Sequence, residues 1–362
     1  MIAQLAWLVW NPNRVLFTIP LIDRPVMVYG FCFVIGFMIG YFIVAWMLKE
    51  KIEQTKILER DVANWPHLIQ ALQKALADPE GKLSKNFNRK ITQEVMNYHG
   101  HGNVSETLKK EILKGLNESA LSKETFEKYL PGAINSPRDL SYILTDRITW
   151  YIVLGTVIGA RLGHVLFYDL PRYLQNPIEV FKIWEGGLAS HGGVLGVLIA
   201  VYLYHRIELK KFPEISLIGL IDCLVIPSGL VAFFIRIGNF FNQEIVGPET
   251  NVPWAVIFVD PMEGGGGVPR HPTQLYEAGA YLAIFILLLY LWNTTNLREK
   301  PGFFTGIFMV LLFGARFFIE FVKLPQSLII NESFLQMGQY LSIPFIIFGL
   351  ALLIWSPQRE NA

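Results

Sequence analysis

Seven apolar stretches, each close to the length needed to cross a lipid bilayer, constrain this chain more than any other feature. A hydrocarbon core about 30 Å thick requires roughly 20 predominantly apolar residues in a helix. Stretches near this length occupy residues 26–48, 148–167, 188–204, 218–241, 274–292, 302–321 and 337–355. Because only helices and closed barrels satisfy every backbone polar group inside a bilayer, we predict an all-α, polytopic membrane helix bundle of about seven transmembrane helices.

Composition supports a membrane protein and argues against several other classes. The chain is 52% hydrophobic and 14% aromatic, and its 31 Lys and Arg residues nearly balance 30 Asp and Glu residues, so no nucleic-acid partner is expected. Cys32 and Cys223 lie far apart inside apolar stretches, which predicts neither a disulfide framework nor a metal site, and no cofactor is expected. The opening MIAQLAWLVW lacks a basic region, so we expect the first spanning helix to direct insertion.

The polar residues divide the chain into three predicted parts. Residues 1–48 form an external N-terminal segment and the first membrane helix, 49–147 form a polar, mostly helical cytoplasmic insertion, and 148–362 carry the other six membrane helices. Helical spacing of Leu, Ile and Phe in LKKEILKGLNESALSKETFEKYL supports the insertion's helical character. His99 and His101 in NYHGHGN could form a metal pair, but solvated loop histidines are the favoured interpretation, and no metal site is predicted.

Basic residues near the ends of the apolar stretches indicate orientation, because cytoplasmic loops carry an excess of Lys and Arg. The loops after the first, third and fifth stretches and the C-terminal tail carry more of these residues than the alternate loops. The larger set is Lys49, Lys51, Lys56, Arg60, Arg206, Lys210, Lys211, Arg298, Lys300 and Arg359. This bias predicts an external N-terminus and a cytoplasmic C-terminus.

With that orientation, the polar motifs in and beside the apolar stretches all fall at the external face. They are the VYG of the first stretch, GARLGHVLFYD, WEGGLASHGGVLG, RIGNFFNQEIVG, RHPTQLYEA and GARFFIEF. Polar groups at membrane depth are costly, so their convergence on one face predicts one functional site.

Structural roles compete with functional ones at several positions. The glycine pair Gly155 and Gly159 favours close helix packing, whereas His191, followed directly by two glycines, favours function. Arg236 and Arg316 could extend to the lipid headgroups from helix ends. Arg316 could also form a helical ion pair with Glu320, four residues later.

Several motifs together identify a family. RIGNFFNQEIVG closely resembles the signature of prolipoprotein diacylglyceryl transferases, in which an Arg is followed by Gly or Ala, Asn-Phe, and a further Asn, Glu and Gly. HGG after WEGG, HPTQLYE, GARLGHVLFYD, VYG, ARFFIEF and MGQYLSIP resemble family blocks in the family's order. Two departures stand out: Ile235 replaces the glycine before the signature arginine, and the 49–147 insertion lacks a counterpart in the usual members.

The resemblance implies an enzyme of the bacterial inner membrane, with its active site toward the periplasm. Its substrates would be phosphatidylglycerol, drawn from the membrane lipids, and a prolipoprotein signal peptide. The lipobox cysteine of that peptide would attack the glyceryl carbon that bears the phosphodiester, forming a thioether and releasing glycerol-1-phosphate. Only a thiolate is a good nucleophile, and a guanidinium suits the departing phosphate.

The resemblance also implies residue roles. Arg236 and Arg316 are expected to bind the phosphate, with Glu320 or Glu244 orienting a guanidinium or the glycerol hydroxyls. His191 and Tyr29 are alternative proton acceptors for the thiol, and the sequence does not separate them. Asn239 and Gly247 are expected to shape the head-group pocket. Lining the same cleft would be His271, Gln274, Tyr276 and Glu277, for which a structural role in the turn at Pro272 is an equal alternative.

Two other function classes have to be considered. A secondary transporter, or another phospholipid-processing membrane enzyme, would also combine apolar helices with polar groups, but transporters place those groups near the midplane and between repeats. Neither a midplane cluster nor an internal repeat is visible in the sequence. A membrane protease or serine acyltransferase is disfavoured because no Gly-x-Ser-x-Gly motif occurs.

Overall fold

The computed structural model describes residues 7–21, 23–77, 83, 87–100, 104–119, 121–324 and 335–355. The chain divides into two compact units, Met1–Val44 with Ser216–Ala362, and Ala45–Ile215. The helix α1, Val28–Glu53, contributes residues to both units.

The first unit contains the beginning of α1 and four further long helices. These are α9 (Leu217–Asn242), α10 (Thr273–Thr294), α11 (Phe303–Ile319) and α12 (Met337–Trp355). α10 packs against α9 and α11, and α11 packs against α12. Gly36 of α1 lies against Val231 and Phe234 of α9, where its missing side chain allows close approach.

Short strands outside the long helices complete the first unit. β1 (Leu8–Trp10) pairs in parallel with β4 (Val256–Phe258), and β4 pairs with β5 (Pro269–Arg270) in the antiparallel sense. β2 (Val15–Ile19) and β3 (Arg24–Met27) form a hairpin directly before α1. The sequence did not predict these strands because each is only two to five residues long, too short for a clear alternation of apolar and polar residues.

A carboxylate on α9 organises the beginning of α11. Asp222 is buried, and its two oxygens accept hydrogen bonds from the backbone N–H groups of Gly302 (2.7 Å) and Thr305 (2.8 Å) and from the Thr305 hydroxyl (2.6 Å). The first N–H groups of a helix lack partners within the helix. Asp222 therefore acts as a cap supplied by a neighbouring helix.

In the described part of the second unit, the end of α1 is followed by seven further α-helices. They are α2 (Trp65–Leu76), α3 (Arg89–Met96), α4 (Glu106–Glu118), α5 (Lys123–Tyr129), α6 (Pro137–Phe167), α7 (Leu170–Gln175) and α8 (Ser190–Ile207). α2 to α5 lie in the predicted helical insertion. Asn64, Asn88, Ser105 and Ser122 cap these four helices through their side chains, as short polar side chains commonly do.

The insertion has a hydrophobic core of its own. The core residues all fall between Ile57 and Ile134, and Leu68, Ile112 and Phe126 among them are fully buried. Beside this core, the ammonium of Lys123 lies 3.0 Å from the Asp61 carboxylate and donates to the Thr55 hydroxyl at 2.8 Å. A buried charge pair of this kind is tolerated because each charge has a partner.

Glycines bring α6 and α8 into close contact. A Cβ on Gly159 would overlap the carbonyl of Gly192, and one on Gly155 would lie 2.6 Å from the Ala200 side chain. The predicted packing role of Gly155 and Gly159 is therefore confirmed. Gly193 differs, because a Cβ there would make only ordinary contacts with Ala160 and Thr156.

The polytopic helical fold is confirmed. Among the described residues, six of the predicted membrane helices meet the length and hydropathy required of a span. These six are Val28–Glu53, Pro137–Phe167, Leu217–Asn242, Thr273–Thr294, Phe303–Val322 and Met337–Trp355. The stretch predicted at 188–204 forms α8, but polar residues such as His191, His205 and Arg206 at its ends lower its mean hydropathy. α6 begins eleven residues before the predicted 148, because its first turns are polar and apolar length alone does not detect them.

Candidate active site

Polar side chains converge where α9 ends in the first unit. The Arg236 Nη1 donates to the Asn239 Oδ1 at 3.1 Å, one helical turn later. The amide of Asn239 then donates to the Glu244 carboxylate at 2.6 Å, and Asn242 reaches the same oxygen at 3.3 Å. Arg236, Asn239 and Glu244, all predicted site residues, thus form one connected network.

The turn that places Glu244 is held in an unusual backbone conformation. Gln243 (φ 56°) and Ile245 (φ 59°) both lie in the left-handed region, which a β-branched residue such as Ile rarely adopts. Thr273 donates to the Ile245 carbonyl at 2.6 Å, and Gln274 donates to the Glu244 carbonyl at 2.7 Å. The first turn of α10 therefore fixes the turn, and the predicted site residue Gln274 acts through the backbone of Glu244.

A second group of charges lies beneath Arg236. The Glu277 carboxylate is fully buried, and one of its oxygens lies 2.9 Å from the Arg236 Nε. Its other oxygen accepts from the Lys323 ammonium at 2.8 Å and from the Tyr281 hydroxyl at 3.1 Å. Lys323 also lies 3.4 Å from the Glu320 carboxylate. Burial makes each of these pairings necessary, since an isolated buried charge is strongly destabilising.

Glu320 or Glu244 was predicted to orient a guanidinium or the glycerol hydroxyls. In the structure Glu277 pairs directly with Arg236, Glu320 pairs with Lys323, and Glu244 reaches Arg236 only through Asn239. The carboxylate of Glu320 also fills the space over Gly338, where a Cβ would overlap it.

Arg316, near the end of α11, differs from Arg236. It lies close enough to Tyr281 for an electrostatic interaction. Within the described ranges it forms no salt bridge, and Glu320 pairs with Lys323 instead of completing the helical pair with Arg316 that the sequence allowed. Among the described residues, no carboxylate therefore holds the guanidinium of Arg316, whereas that of Arg236 is oriented by Glu277 and Asn239.

Tyr29 lies in the first turn of α1 and packs on α9. A Cβ on Gly238 would lie 2.7 Å from the Tyr29 ring, so this glycine makes room for the tyrosine. Tyr29 interacts electrostatically with Arg236, Asn239 and Glu244. The structure therefore places this candidate proton acceptor beside the Arg236 network.

A short chain of hydrogen bonds involves His271 and Tyr276. The indole N–H of Trp254 donates to the Tyr276 hydroxyl at 2.8 Å, and that oxygen lies 3.0 Å from the His271 Nδ1. Because the Trp254 indole N–H is only a donor, the Tyr276 hydroxyl oxygen accepts a hydrogen bond from it. The Tyr276 O–H can then donate a hydrogen bond to an unprotonated His271 Nδ1. Burial lowers the pKa of His271, which favours the neutral imidazole.

Gly247, expected to shape the head-group pocket, is buried where no side chain fits. A Cβ there would lie 2.6 Å from the His271 Cβ and 2.7 Å from the Val322 carbonyl oxygen. Its N–H donates to the His271 carbonyl at 3.0 Å. Gly247 thus allows the loop after α9 to pack on the segments that carry His271 and Lys323.

His191 belongs to the other unit, where it lies exposed in the first turn of α8. The segment before it is organised by Arg161 of α6, whose guanidinium donates to the carbonyls of Val180 (2.8 Å), Gly186 (2.7 Å), Gly187 (3.1 Å) and Glu179. Arg161 also lies over the Tyr173 ring, 5.1 Å from its centroid. The partnership of His191 with the Arg236 network stays a prediction.

Sequence reasoning missed Lys323 and underestimated Glu277. Lys323 directly follows an apolar stretch, where a lysine is usually a flanking cation, so nothing in the sequence signalled its burial. Glu277 was expected only to line the cleft. Its spacing of three residues from Gln274 was the available signal, because it places both side chains on one face of α10.

Metal ligands do not cluster within the described ranges. These contain no group of three or more His, Cys, Asp and Glu side chains arranged to hold a metal ion. His101, one member of the pair considered in NYHGHGN, lies outside the described residues, so that alternative is untested.

Comparison with known proteins gives one consistent result. A family model described as Prolipoprotein diacylglyceryl transferase matches residues 126–355. The phosphatidylglycerol–prolipoprotein diacylglyceryl transferase of Protochlamydia amoebophila is 44% identical over 360 residues, covering 98% of this chain and 96% of that protein. Proteins of the same name from Tolumonas auensis and Porphyromonas gingivalis are each 46% identical, over 59% and 58% of this chain and 80% and 76% of their own length.

The alignment with the Protochlamydia protein is long enough to include the insertion, which the sequence had suggested was without a counterpart in the usual members. Both the family match, over more than half of the chain, and this nearly full-length relative lead to the same conclusion. The chain belongs to the prolipoprotein diacylglyceryl transferase family.

Proposed function

We propose that this multi-pass membrane protein transfers the diacylglyceryl group of phosphatidylglycerol to the lipobox cysteine of a prolipoprotein. The names of the relatives supply the two substrates and the type of transfer. The observation that carries the proposal is that two guanidinium groups lie within electrostatic reach of Tyr281. That of Arg236 is oriented by Glu277 and Asn239, and that of Arg316 forms no salt bridge within the described ranges. This combination suits a substrate whose phosphate leaves with increased charge.

The proposed reaction is a substitution at carbon. The thiolate sulfur forms a bond to the glyceryl carbon, and the bond from that carbon to the phosphate oxygen breaks. The electron pair of the broken bond leaves with glycerol-1-phosphate, and the thiol proton passes to an acceptor on the enzyme. No external oxidant or reductant is needed.

The protein's own residues would divide this work. Arg236 and Arg316 bind the phosphate and stabilise the charge that develops on it. Glu277, anchored by Lys323, holds the Arg236 guanidinium, and Asn239 with Glu244 holds its other side. Tyr29 or His191 accepts the proton of the thiol. We also propose that the site faces the periplasm across the bacterial inner membrane, with the N-terminus external and the C-terminus cytoplasmic.

The direct test uses the purified full-length protein in detergent or liposomes. It is incubated with phosphatidylglycerol that carries the label in its diacylglyceryl group and with a peptide that contains a lipobox cysteine. Expected products are a diacylglyceryl thioether on the peptide, detected by mass, and an equal amount of glycerol-1-phosphate. A matched peptide with serine in place of the cysteine should remain unmodified, and absence of transfer to the cysteine peptide would overturn the proposal.

A further inference from the structure

A wholly apolar groove lies between α11 and α12. It is open on one side, has a volume of about 290 Å³ and is lined by Gly314, Phe317, Phe318, Ile343, Ile346 and Ile347. On each helix the three lining residues are spaced i, i+3 and i+4, so the groove runs along one face of each. This volume is about that of ten water molecules in the liquid, at ~30 Å³ each. The groove can therefore hold a narrow chain but not a whole helix about 10 Å in diameter.

The packing on either side of the groove shows where the two helices touch. Near one end Gly306 and Gly349 meet so closely that a Cβ on either would lie within 3 Å of the other's carbonyl. Near the other end Gly338 packs directly beneath the Glu320 carboxylate. Gly314 lies between these contacts, but a Cβ there would meet no atom within 4 Å. Its small size therefore keeps the groove open and is not required by packing.

The groove lies at the depth expected for a lipid tail. Both helices are long and apolar enough to cross a membrane, and Glu320 marks the polar end of α11. With a rise of 1.5 Å per residue, Gly314 lies about 9 Å along the helix axis from Glu320, and Ile347 lies about 13 Å from Gly338. The groove thus begins below the charged network and extends toward the apolar interior.

We propose that this groove holds one acyl chain of the phospholipid donor while its headgroup occupies the charged network. The inference rests on the proposed function and adds a tail-binding subsite to it. Lipid tails are as apolar as the groove, so moving a chain from bilayer to groove has little hydrophobic driving force. The benefit is orientation of the glyceryl carbon, and the expected effect is therefore on kcat.

Gly314→Leu tests the proposal because leucine would fill the groove without overlapping protein atoms at its Cβ. Gly279→Leu is the matched control, since Gly279 also meets no atom within 4 Å but lies exposed on α10, outside this groove. Transfer is measured with dipalmitoyl and with dihexanoyl phosphatidylglycerol. We expect Gly314→Leu to lower kcat about tenfold for the long-chain donor and less than about twofold for the short-chain donor.

The outcomes separate this inference from the proposed function. If the wild-type protein transfers neither lipid, the proposed function fails. If it transfers both and Gly314→Leu lowers both rates equally, or neither, the tail-binding subsite is overturned. Gly279→Leu should leave both rates near wild type, and thermal unfolding of both variants in detergent identifies any general loss of folding.

Photolabelling gives a second readout that does not depend on turnover. Phosphatidylglycerol with a diazirine in the middle of one acyl chain is bound to the wild-type protein and to Gly314→Leu, and the labelled peptides are mapped. Labelling concentrated on 314–318 and 343–347, and reduced severalfold in the variant, is the expected result. Equal labelling of these residues and of the exposed face of α10 around Gly279 would show only surrounding bilayer lipid and would overturn the inference.

Discussion

Arg161 and Arg236 are both arginines with little solvent exposure in long helices, but their surroundings differ. Arg161 donates to four backbone carbonyls of the segment before α8, whereas Arg236 binds the Glu277 carboxylate and the Asn239 amide oxygen. By binding these loop carbonyls, the Arg161 side chain fixes the path of the loop, which is a structural role. Side-chain partners that are themselves anchored orient a guanidinium while leaving its remaining donors for a ligand.

Both arginines are largely buried, so burial by itself does not predict which of them acts in a functional site. Both residues belong to motifs that the sequence placed at the same membrane face, and the sequence could not distinguish their roles. We propose that the type of hydrogen-bond partner, backbone carbonyl or anchored side chain, distinguishes the roles of the two arginines. By the type of its partners, Arg270 resembles Arg161, since it donates mainly to loop carbonyls, including those of Gly247 and Gly264.

The largest effect is expected for Arg236→Lys. Lysine keeps the charge but loses the planar fork that can bind Glu277, Asn239 and a phosphate together. Transfer activity should fall by about 10²- to 10³-fold, measured as thioether formation per folded protein. The matched control is Arg172→Lys, at an exposed arginine, which should leave activity near wild type. Near wild-type turnover by Arg236→Lys would mean that this guanidinium is as structural as that of Arg161.

The proton acceptor is tested with Tyr29→Phe and His191→Asn. Each should lower transfer by about 10²-fold, the lower end for loss of a general base, and only one should remove the pH dependence of thiol activation. Rates are measured across pH 6 to 9 with a lipobox peptide. If both variants keep the full rate, the thiolate forms without either side chain, and depression of its pKa by the nearby arginines becomes the better explanation.

Arg161→Lys should chiefly reduce stability. A lysine cannot reach the carbonyls of Val180, Gly186 and Gly187 together, so we expect a loss of about 1–3 kcal/mol in the free energy of unfolding. Thermal unfolding in detergent measures this loss, and transfer per folded molecule should change much less than in Arg236→Lys. A variant with wild-type stability but no activity would reverse the roles assigned to the two arginines.

The pH dependence of stability should show a smaller effect from His271. Burial lowers its pKa in the folded protein, so between that value and about 6.5 the unfolded chain binds more protons. Stability should therefore be fully present above about pH 6.5 and decrease as the pH falls through this window. His271→Asn should flatten this part of the profile. An unchanged acid slope in the variant would contradict the assignment of the effect to His271.

The smallest effect is expected from removing the insertion. Residues 56–135, which contain its core, can be replaced by a flexible Gly/Ser linker that leaves α1 and α6 intact. Transfer to a free lipobox peptide should stay within about twofold of wild type, an estimate that assumes the linker spans the two helix ends. A variant that inserts and folds but has lost transfer would overturn the predicted cytoplasmic position of the insertion. Loss of activity only in cells would favour docking of a cytoplasmic partner.

The sequence predicted the long elements well because hydropathy and helix length are local properties. It identified the helical insertion and grouped Arg236, Asn239 and Glu244 in one motif. The sequence did not predict which distant segments pair with each other. The Glu277 contact with Lys323 joins residues 46 positions apart, and the parallel pairing of β1 with β4 depends on the path of everything between them. The left-handed conformation of Ile245 was also unpredictable, because it opposes the residue's own preference.

The Asp222 cap has a consequence for how the chain is made. Its hydrogen bonds reach Gly302 and Thr305, which follow it by 80 and 83 residues. At about 5–20 residues per second, a ribosome adds Gly302 roughly 4–16 seconds after it adds Asp222. During that interval these bonds to α11 cannot form. Assembly of this pair of helices therefore has to wait for translation of the N–H groups that the Asp222 carboxylate caps.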